Sequence, residues 1–336
     1  MRIFFEIALI VILALILPAP SSAGPVPSPA QPGEYYVNYG WGFYRSESAG
    51  FVYGRNPGGT GPAYNFQPPL SGMSASMEFG IVTPDPGHWP AWLGENVRLE
   101  LAFGYADARW SGSVRSPTAT KLPFLNNQTP NLQISTVPAN QDQFSQDLIN
   151  RSYDLILVTD YHLSQRRLTV SPFVGVSHVT RRETSRLRSV DPGGLTDMLL
   201  NEQLDAEYTG LRAGATLFTP LGSGWRLTLG ATQSWLKADA RLSAEQSFPT
   251  YPPPPGPAVQ LGETVSGKSA DRRTLFAGIG HDSGWARVDM IVERTSWSYI
   301  PTVINPILFT DPPARLDARR VEDTAFRLVF TVPIKP

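Results

Sequence analysis

The sequence predicts an all-β fold: one antiparallel, up-and-down barrel of about ten strands that crosses a membrane. Three observations carry that prediction. Ten segments alternate apolar residues with small or polar ones at a two-residue period, the connections between them are long and short by turns, and no amphipathic helix is long enough to cover the apolar faces.

Taken in order, Met1 to Ala23 reads as a secretory signal peptide. Arg2 gives a positive start, Ile7 to Leu17 an apolar run, and Ser21-Ser22-Ala23 the small residues of a cleavage site. The run is shorter than the ~20 residues of a spanning helix, and Pro18 and Pro20 end it. No second run of spanning length follows, which excludes a helical membrane protein. Residues 24–33 form a Pro-rich lead, and the barrel domain takes 34–336.

In the first strand Tyr35, Val37, Tyr39, Trp41 and Phe43 share the lipid face. Met73 to Ile81 sets Met73, Ala75, Met77 and Phe79 against Ser74, Ser76 and Glu78; Val97 to Ala106 sets Leu99, Leu101 and Phe103 against Arg98, Glu100 and Ala102. Tyr153, Leu155 and Leu157 oppose Asp154, Ile156 and Val158, with Asp160 on the second face; Val174 and Val176 oppose Phe173, Gly175 and Ser177. Leu211, Ala213 and Leu217 oppose Arg212, Gly214 and Thr216, and Trp225, Leu227, Leu229 and Trp235 oppose Arg226, Thr228 and Ser234. Beyond Trp235 the apolar parity switches to Leu236, Ala238, Ala240 and Leu242, which reads as a bulge or as a strand that has left the membrane. Leu275, Ala277 and Ile279 oppose Arg272, Thr274 and Phe276; Val288, Met290 and Val292 oppose Arg287, Asp289 and Glu293; Phe326, Leu328 and Phe330 oppose Ala325, Arg327 and Val329.

Long connections fall at about 46–71, 111–149, 183–203, 244–266 and 301–319, and short ones at about 83–94, 164–166, 220–223 and 282–284. Eight or twelve strands are the near alternatives, since Phe51 to Tyr53 and Leu132 to Val137 read as extra strand pieces. From Trp225 to Trp235, ten steps at ~3.3 Å tilted about 40° cover roughly 25 Å, the height of a lipid-facing band. Aromatic residues fall at both rims: Tyr35, Tyr161 and Trp225 at the short-turn end, and Phe43, Tyr105, Trp110, Trp235 and Trp297 at the long-loop end.

Composition narrows the chemistry. The 336 residues include no cysteine, which excludes a disulfide scaffold and thiolate metal sites, and His88, His162, His178 and His281 are too scattered for a metal cluster. Twenty-eight basic residues against 29 acidic ones leave no footprint for nucleic acid. No cofactor is expected. The inward parity collects charge of both signs: Glu78, Arg98, Glu100, Asp154, Asp160, Arg181, Arg212, Arg226, Arg272, Arg287, Asp289, Glu293 and Arg327. In a ten-strand bore such a set reads as a self-neutralising network that fills the lumen or leaves a narrow passage.

The chain resembles Gram-negative outer-membrane β-barrel proteins of the broad porin or OmpA-like class. The signal Met1–Ala23, the Pro-Phe-Val-Gly-Val run Pro172 to Val176 and the alternating strand Phe326 to Ile334 carry that resemblance. It implies an outer-membrane protein with both termini in the periplasm, long loops outside, outer-membrane lipid and lipopolysaccharide as neighbours, and the barrel-insertion machinery as a partner. The chain departs from the class by ending Val332-Pro333-Ile334-Lys335-Pro336 rather than in an aromatic: either Phe330 serves as the assembly signal and the tail is an extension, or the chain lacks that signal. The expected function is a structural or narrow porin-like barrel with exposed loops. One alternative is a lipid A-modifying hydrolase, on His178, Thr180 and Glu183; the other is a secreted soluble barrel for an apolar ligand. Asp160 and His162 lie at the wrong end for an outer-membrane protease and read as a rim ion pair. Arg181, Arg182, Arg186 and Arg188 are candidates for lipopolysaccharide phosphates, which guanidinium forks match.

Overall fold

The structure is a computed structural model, and it describes residues 34–47, 51–54, 64–66, 69–83, 96–115, 141–163, 168–190, 197–248, 256–283, 286–305 and 314–334. The signal, the Pro-rich lead and the Leu132 to Val137 piece lie outside the described residues. Twelve strands are formed: β1 (Tyr35–Glu47), β2 (Phe51–Gly54), β3 (Tyr64–Phe66), β4 (Pro69–Val82), β5 (Asn96–Arg115), β6 (Gln141–Leu163), β7 (Leu168–Val190), β8 (Asp197–Gly222), β9 (Trp225–Phe248), β10 (Gly256–Asp282), β11 (Arg287–Ile304) and β12 (Arg315–Ile334). Ten of them close a ring in sequence order, β1 pairing with both β4 and β12, while β2 and β3 pair only with each other. The Phe51 piece is therefore a separate small hairpin and adds nothing to the barrel.

Closure fixes the geometry. From Tyr39, pairing followed through β4, β5, β6, β7, β8 and β9 arrives at Ser269 on β10; followed through β12 and β11 it arrives at His281, a stagger of twelve residues. Ten strands with that stagger tilt about 40° and enclose a bore of about 10 Å backbone radius, each residue rising about 2.5 Å. At one end β8 turns tightly into β9 at Gly222-Ser223-Gly224, where all three residues have positive φ (95°, 51° and 80°) and two glycines carry most of that strain.

A belt of exposed apolar side chains encircles this half: Phe43, Leu101, Leu155, Val176, Leu211, Leu229, Leu275, Val292 and Phe330 all face outward. Leu275 and Phe43 are each 63% exposed, which water would penalise and hydrocarbon would not. Trp225 marks one edge of the belt and Trp41, Tyr153 and Trp235 the other. Trp110 and Trp297, read as rim aromatics, turn inward instead, because they share parity with Ala108 and Glu293; Trp297 is buried and donates to Asp323 (Nε1 to Oδ2 2.9 Å).

The connections read as long loops are shorter than the sequence suggested. β6 begins at Gln141, β7 runs to Val190, β9 to Phe248, and β10 begins at Gly256, so the wall continues ten or more residues beyond the belt. The parity switch after Trp235 is no bulge: β9 pairs with β8 without a shift from Leu199↔Ser247 to Thr219↔Leu227. What changes is the solvent outside. Beyond the belt Lys237, Asp239, Arg241 and Glu245 are exposed and Leu236, Ala238, Ala240 and Leu242 are buried, so the faces trade chemistry while the backbone keeps its alternation.

The wall is not continuous to its top. β10 stays paired with β9 as far as Gly256, with a register shift near Gly267 (φ 67°), but its pairing with β11 stops at Arg272↔Trp297. There β11 has an irregularity between Trp297 and Ile300, beyond which it pairs only with β12, up to Ile304↔Arg315.

Candidate functional site

The lumen is the candidate site, and it has three storeys. At the short-turn end a cavity of about 350 Å³ is lined by Arg98, Asp160, His162, Phe218, Arg226 and Arg287 among others. The middle storey, at belt level, is the charge network. The third, inside the protruding wall, combines two apolar clusters with a few buried, hydrogen-bonded polar groups.

Strand alternation puts Arg98, Glu100, Asp154, Arg212, Arg226, Arg272, Arg287, Asp289, Glu293, Arg327 and Glu78 inside, all of them buried, with Asp160 half-buried at the mouth. Six cations face six carboxylates, so the set is neutral as a whole. Arg98 meets Glu100 at 2.8 Å and Asp160 at 3.0 Å, and Tyr36 donates its hydroxyl to Glu100. Asn38 donates to Glu78 at 2.8 Å. Arg212 lies 2.5 Å from Asp154, which Arg272 approaches at 3.8 Å. Arg226 forks onto Asp289, with contacts at 2.5 and 2.7 Å, and Arg327 pairs with Glu293. Three of these guanidiniums also lie over rings: Arg212 on Phe173 at 5.5 Å, Arg226 on Phe218 at 5.8 Å and Arg272 on Trp297 at 5.5 Å. These three arginines are thus held by carboxylate on one side and an aromatic plane on another, which helps fill the bore with side chains.

Small residues make room for the large ones. A Cβ on Gly230 would sit 2.0 Å from the Phe276 ring, and one on Gly80 2.1 Å from Tyr36. Inward glycines beside inward aromatics allow a bore of this radius to close. Among the described residues a pocket of about 30 Å³ lies at belt level between Arg272, Glu293, Trp297 and Asp323.

Further along, Arg181 faces Asp323 at 3.6 Å and Glu183 at 3.9 Å, and Gln146 donates to Glu183. Above these polar groups lie two apolar clusters, one of Phe144, Leu187, Met198, Leu200, Leu204, Leu242 and Phe248, the other around Tyr208, Leu236, Trp297, Ile300 and Val321. Embedded there, Glu202 accepts from Asn305 (Nδ2 to Oε1 2.5 Å) across the lumen, from the end of β11 to β8. Burial is the first cause that pushes the Glu202 carboxyl up, to about 7, with the Glu183 charge adding to it and the Asn305 hydrogen bond opposing it. Glu202 lies nine residues past Leu211, outside the apolar belt.

Several sequence readings change. Arg181 is 2% exposed inside the barrel and so leaves the proposed lipopolysaccharide cluster, whereas Arg182, Arg186 and Arg188 are exposed. Arg182 pairs with Asp205 at 2.5 Å and Arg188 with Asp197 at 2.7 Å. Arg188 stands twenty residues along β7 from Leu168, about 50 Å up at the rise above and far past the belt. The hydrolase constellation does not assemble: His178 faces outward and its Nδ1 meets Thr209 Oγ1 at 2.9 Å, while Glu183 is buried on the opposite face of the wall. At the rim, Asp160 accepts from Arg98 and Ser171, and His162 Nδ1 meets Thr169 Oγ1 at 2.9 Å. Sequence reasoning passed over Tyr36, Gln146, Glu202 and Asp323. The last three fall in or beside segments read as loops or strand ends, yet each shares parity with an inward neighbour, such as Glu202 with Leu204, Tyr208 and Arg212.

No protein-family model matches the sequence, and comparison with curated proteins gave no match. Among solved structures, the outer-membrane protease OmpT from Escherichia coli aligns over 93% of this chain and 100% of its own, at 10% identity and a TM-score of 0.42. The transport unit of the autotransporter AIDA-I from Escherichia coli aligns over 92% and 93%, at 10% identity and a TM-score of 0.32. A FadL homologue of Pseudomonas aeruginosa aligns over 94% and 98%, at 10% identity and 0.28.

Proposed function

We propose that the chain is a structural outer-membrane barrel, closed at rest, whose short-turn end and both termini face the periplasm and whose tall wall stands outside the cell. The observation that carries this reading is the double filling of the bore. At belt level paired charges occupy it, and beyond the belt two apolar clusters do, with hydrogen-bonded polar groups such as Glu202–Asn305 and Gln146–Glu183 between them. Water and ions have no continuous polar path through such a core, and each charge moved out of its pair is expensive. Reconstituted in liposomes, the protein is expected to give no swelling in sugars of any size; swelling that falls off with sugar size would make it a general porin instead.

The charged exterior just past the belt suits the headgroup layer. Arg151, Arg182 and Lys237 are exposed just beyond Tyr153, His178 and Trp235, and we assign them to contacts with lipopolysaccharide phosphates. Arg182→Ala with Arg151→Ala should lower the lipopolysaccharide retained through purification; unchanged retention would remove the assignment. Phe330, outward and 44% exposed, is the aromatic we assign to recognition by the insertion machinery.

A further inference from the structure

We propose that the upper ends of β11 and β12, residues 298–305 and 314–322, form a lid over the lumen, and that Glu202 with Asn305 is its proton-sensitive latch. The inference deepens the closed-lumen reading and rests on it. The arm leaves the wall at a definite place. Pairing between β10 and β11 ends at Arg272↔Trp297, β11 is irregular between Trp297 and Ile300, and β10 continues alone with β9 for sixteen more residues, from Asp271 to Gly256. Past that point the arm packs inward. Ile300 and Val321 join the apolar cluster around Tyr208, while Ala314, Val303 and Leu316 pack on the one that contains Leu204 and Leu242. Asn305 reaches β8, three strands away around the ring.

Little backbone bonding ties the arm to the wall beside it. Across the open seam the structure has side-chain contacts: the Leu316 amide donates to Glu263, and the Asp271 amide donates to Ser298 Oγ at 2.7 Å. On the other side the Glu322 amide donates to Glu47 Oε2 at 3.2 Å and Arg319 to the Glu47 carbonyl at 3.4 Å. Lifting the arm therefore breaks no β10–β11 ladder, and the Trp297–Ile300 irregularity is where the chain bends.

The latch depends on charge. Glu202 is buried beside apolar residues, and on the lid side a neutral amide, Asn305, donates to it. Glu183 faces it from β7, held by Gln146 of β6 and near Arg181; Arg319 of β12 lies toward Glu183; β9 presents Ala244 and Gln246, and β10 presents Glu263 to the arm. No cation pairs with Glu202 itself among the described residues. Its carboxyl is raised in the closed state, so closure retains a proton that an open, hydrated carboxyl would lose. The sign follows: the lid is most firmly shut below the ordinary carboxylate range, weakens as pH rises toward about 7, and changes no further above that. Each unit of the difference is a factor of about ten in the open-to-closed ratio.

The chain has no cysteine, so a single introduced thiol reports lid opening. In full-length protein in lipid vesicles, Ala244→Cys, buried beneath the arm, is labelled with a water-soluble maleimide from pH 5 to pH 9. Its rate is divided by that of Ser243→Cys on the exposed face of the same strand, which cancels the reagent's own pH dependence. The expected ratio rises at least about tenfold between pH 5 and pH 7.5 and then levels off, and adding Glu202→Gln, which keeps a partner for Asn305, holds it at the low value throughout. A ratio that stays low and flat in the parent would overturn the lid while leaving the closed lumen intact. A ratio near one at every pH would overturn both, and a rise that survives Glu202→Gln would overturn the latch.

Discussion

Arg212→Met tests the belt-level network where its geometry is tightest. Arg212 and Asp154 are each about 1% exposed and meet at 2.5 Å, so neither has water to fall back on. Removing one member of a buried pair costs about 3–5 kcal/mol, most of it the stranded partner. Here Asp154 retains Arg272 at 3.8 Å, too long for a good hydrogen bond but still a cation, so the lower end, about 3 kcal/mol, is expected. The Met side chain keeps much of the packing against Phe173, which isolates the charge term. Urea titration in lipid vesicles, read as the folded fraction on unheated gels, gives the loss directly. Arg212→Met with Asp154→Asn should recover at least about 1 kcal/mol of it, because the double variant strands no carboxylate. A single variant within about 0.5 kcal/mol of the parent would refute the claim that these charges are desolvated and paired.

Leu229→Arg places a charge in the apolar belt and should destabilise by about 2–4 kcal/mol in the same assay if Leu229 lies near the bilayer midplane, whereas Ser243→Arg on the wet part of that strand should be close to neutral. Gly230→Val should block folding, because its Cβ falls 2.0 Å from the Phe276 ring, and Phe276→Ala in the same chain should restore a heat-modifiable barrel. Leu242→Ala opens a hole in the upper apolar cluster and should cost about 2–5 kcal/mol there; limited proteolysis should then cut the protruding wall while the belt-level fragment stays protected.

Much of this architecture is legible from alternation alone, since a barrel strand with lipid on one side and charge on the other has two chemically distinct faces. Leu227, Leu229 and Trp235 against Arg226, Thr228 and Ser234 leave no choice of register. The same rule hides the upper wall. Once a strand leaves the membrane, water outside and apolar packing inside reverse the pattern, so Leu236 to Leu242 looks like a fault in β9 although its backbone is unbroken. The reversal also hides Glu183 and Glu202, which sit where the sequence looks like loop, and it leaves Arg181 among its exposed arginine neighbours in the text of the chain. The split between β10 and β11 depends on pairing between segments distant in sequence, which no local pattern encodes.

Single-channel recording of the purified protein in planar bilayers tests the filled bore most directly. With charge pairs at belt level and an apolar core above them, the account predicts a silent baseline at acidic pH, with no large, stable steps at either polarity. Steady ohmic conductance under those conditions would mean a continuous water path through the lumen, and would contradict it.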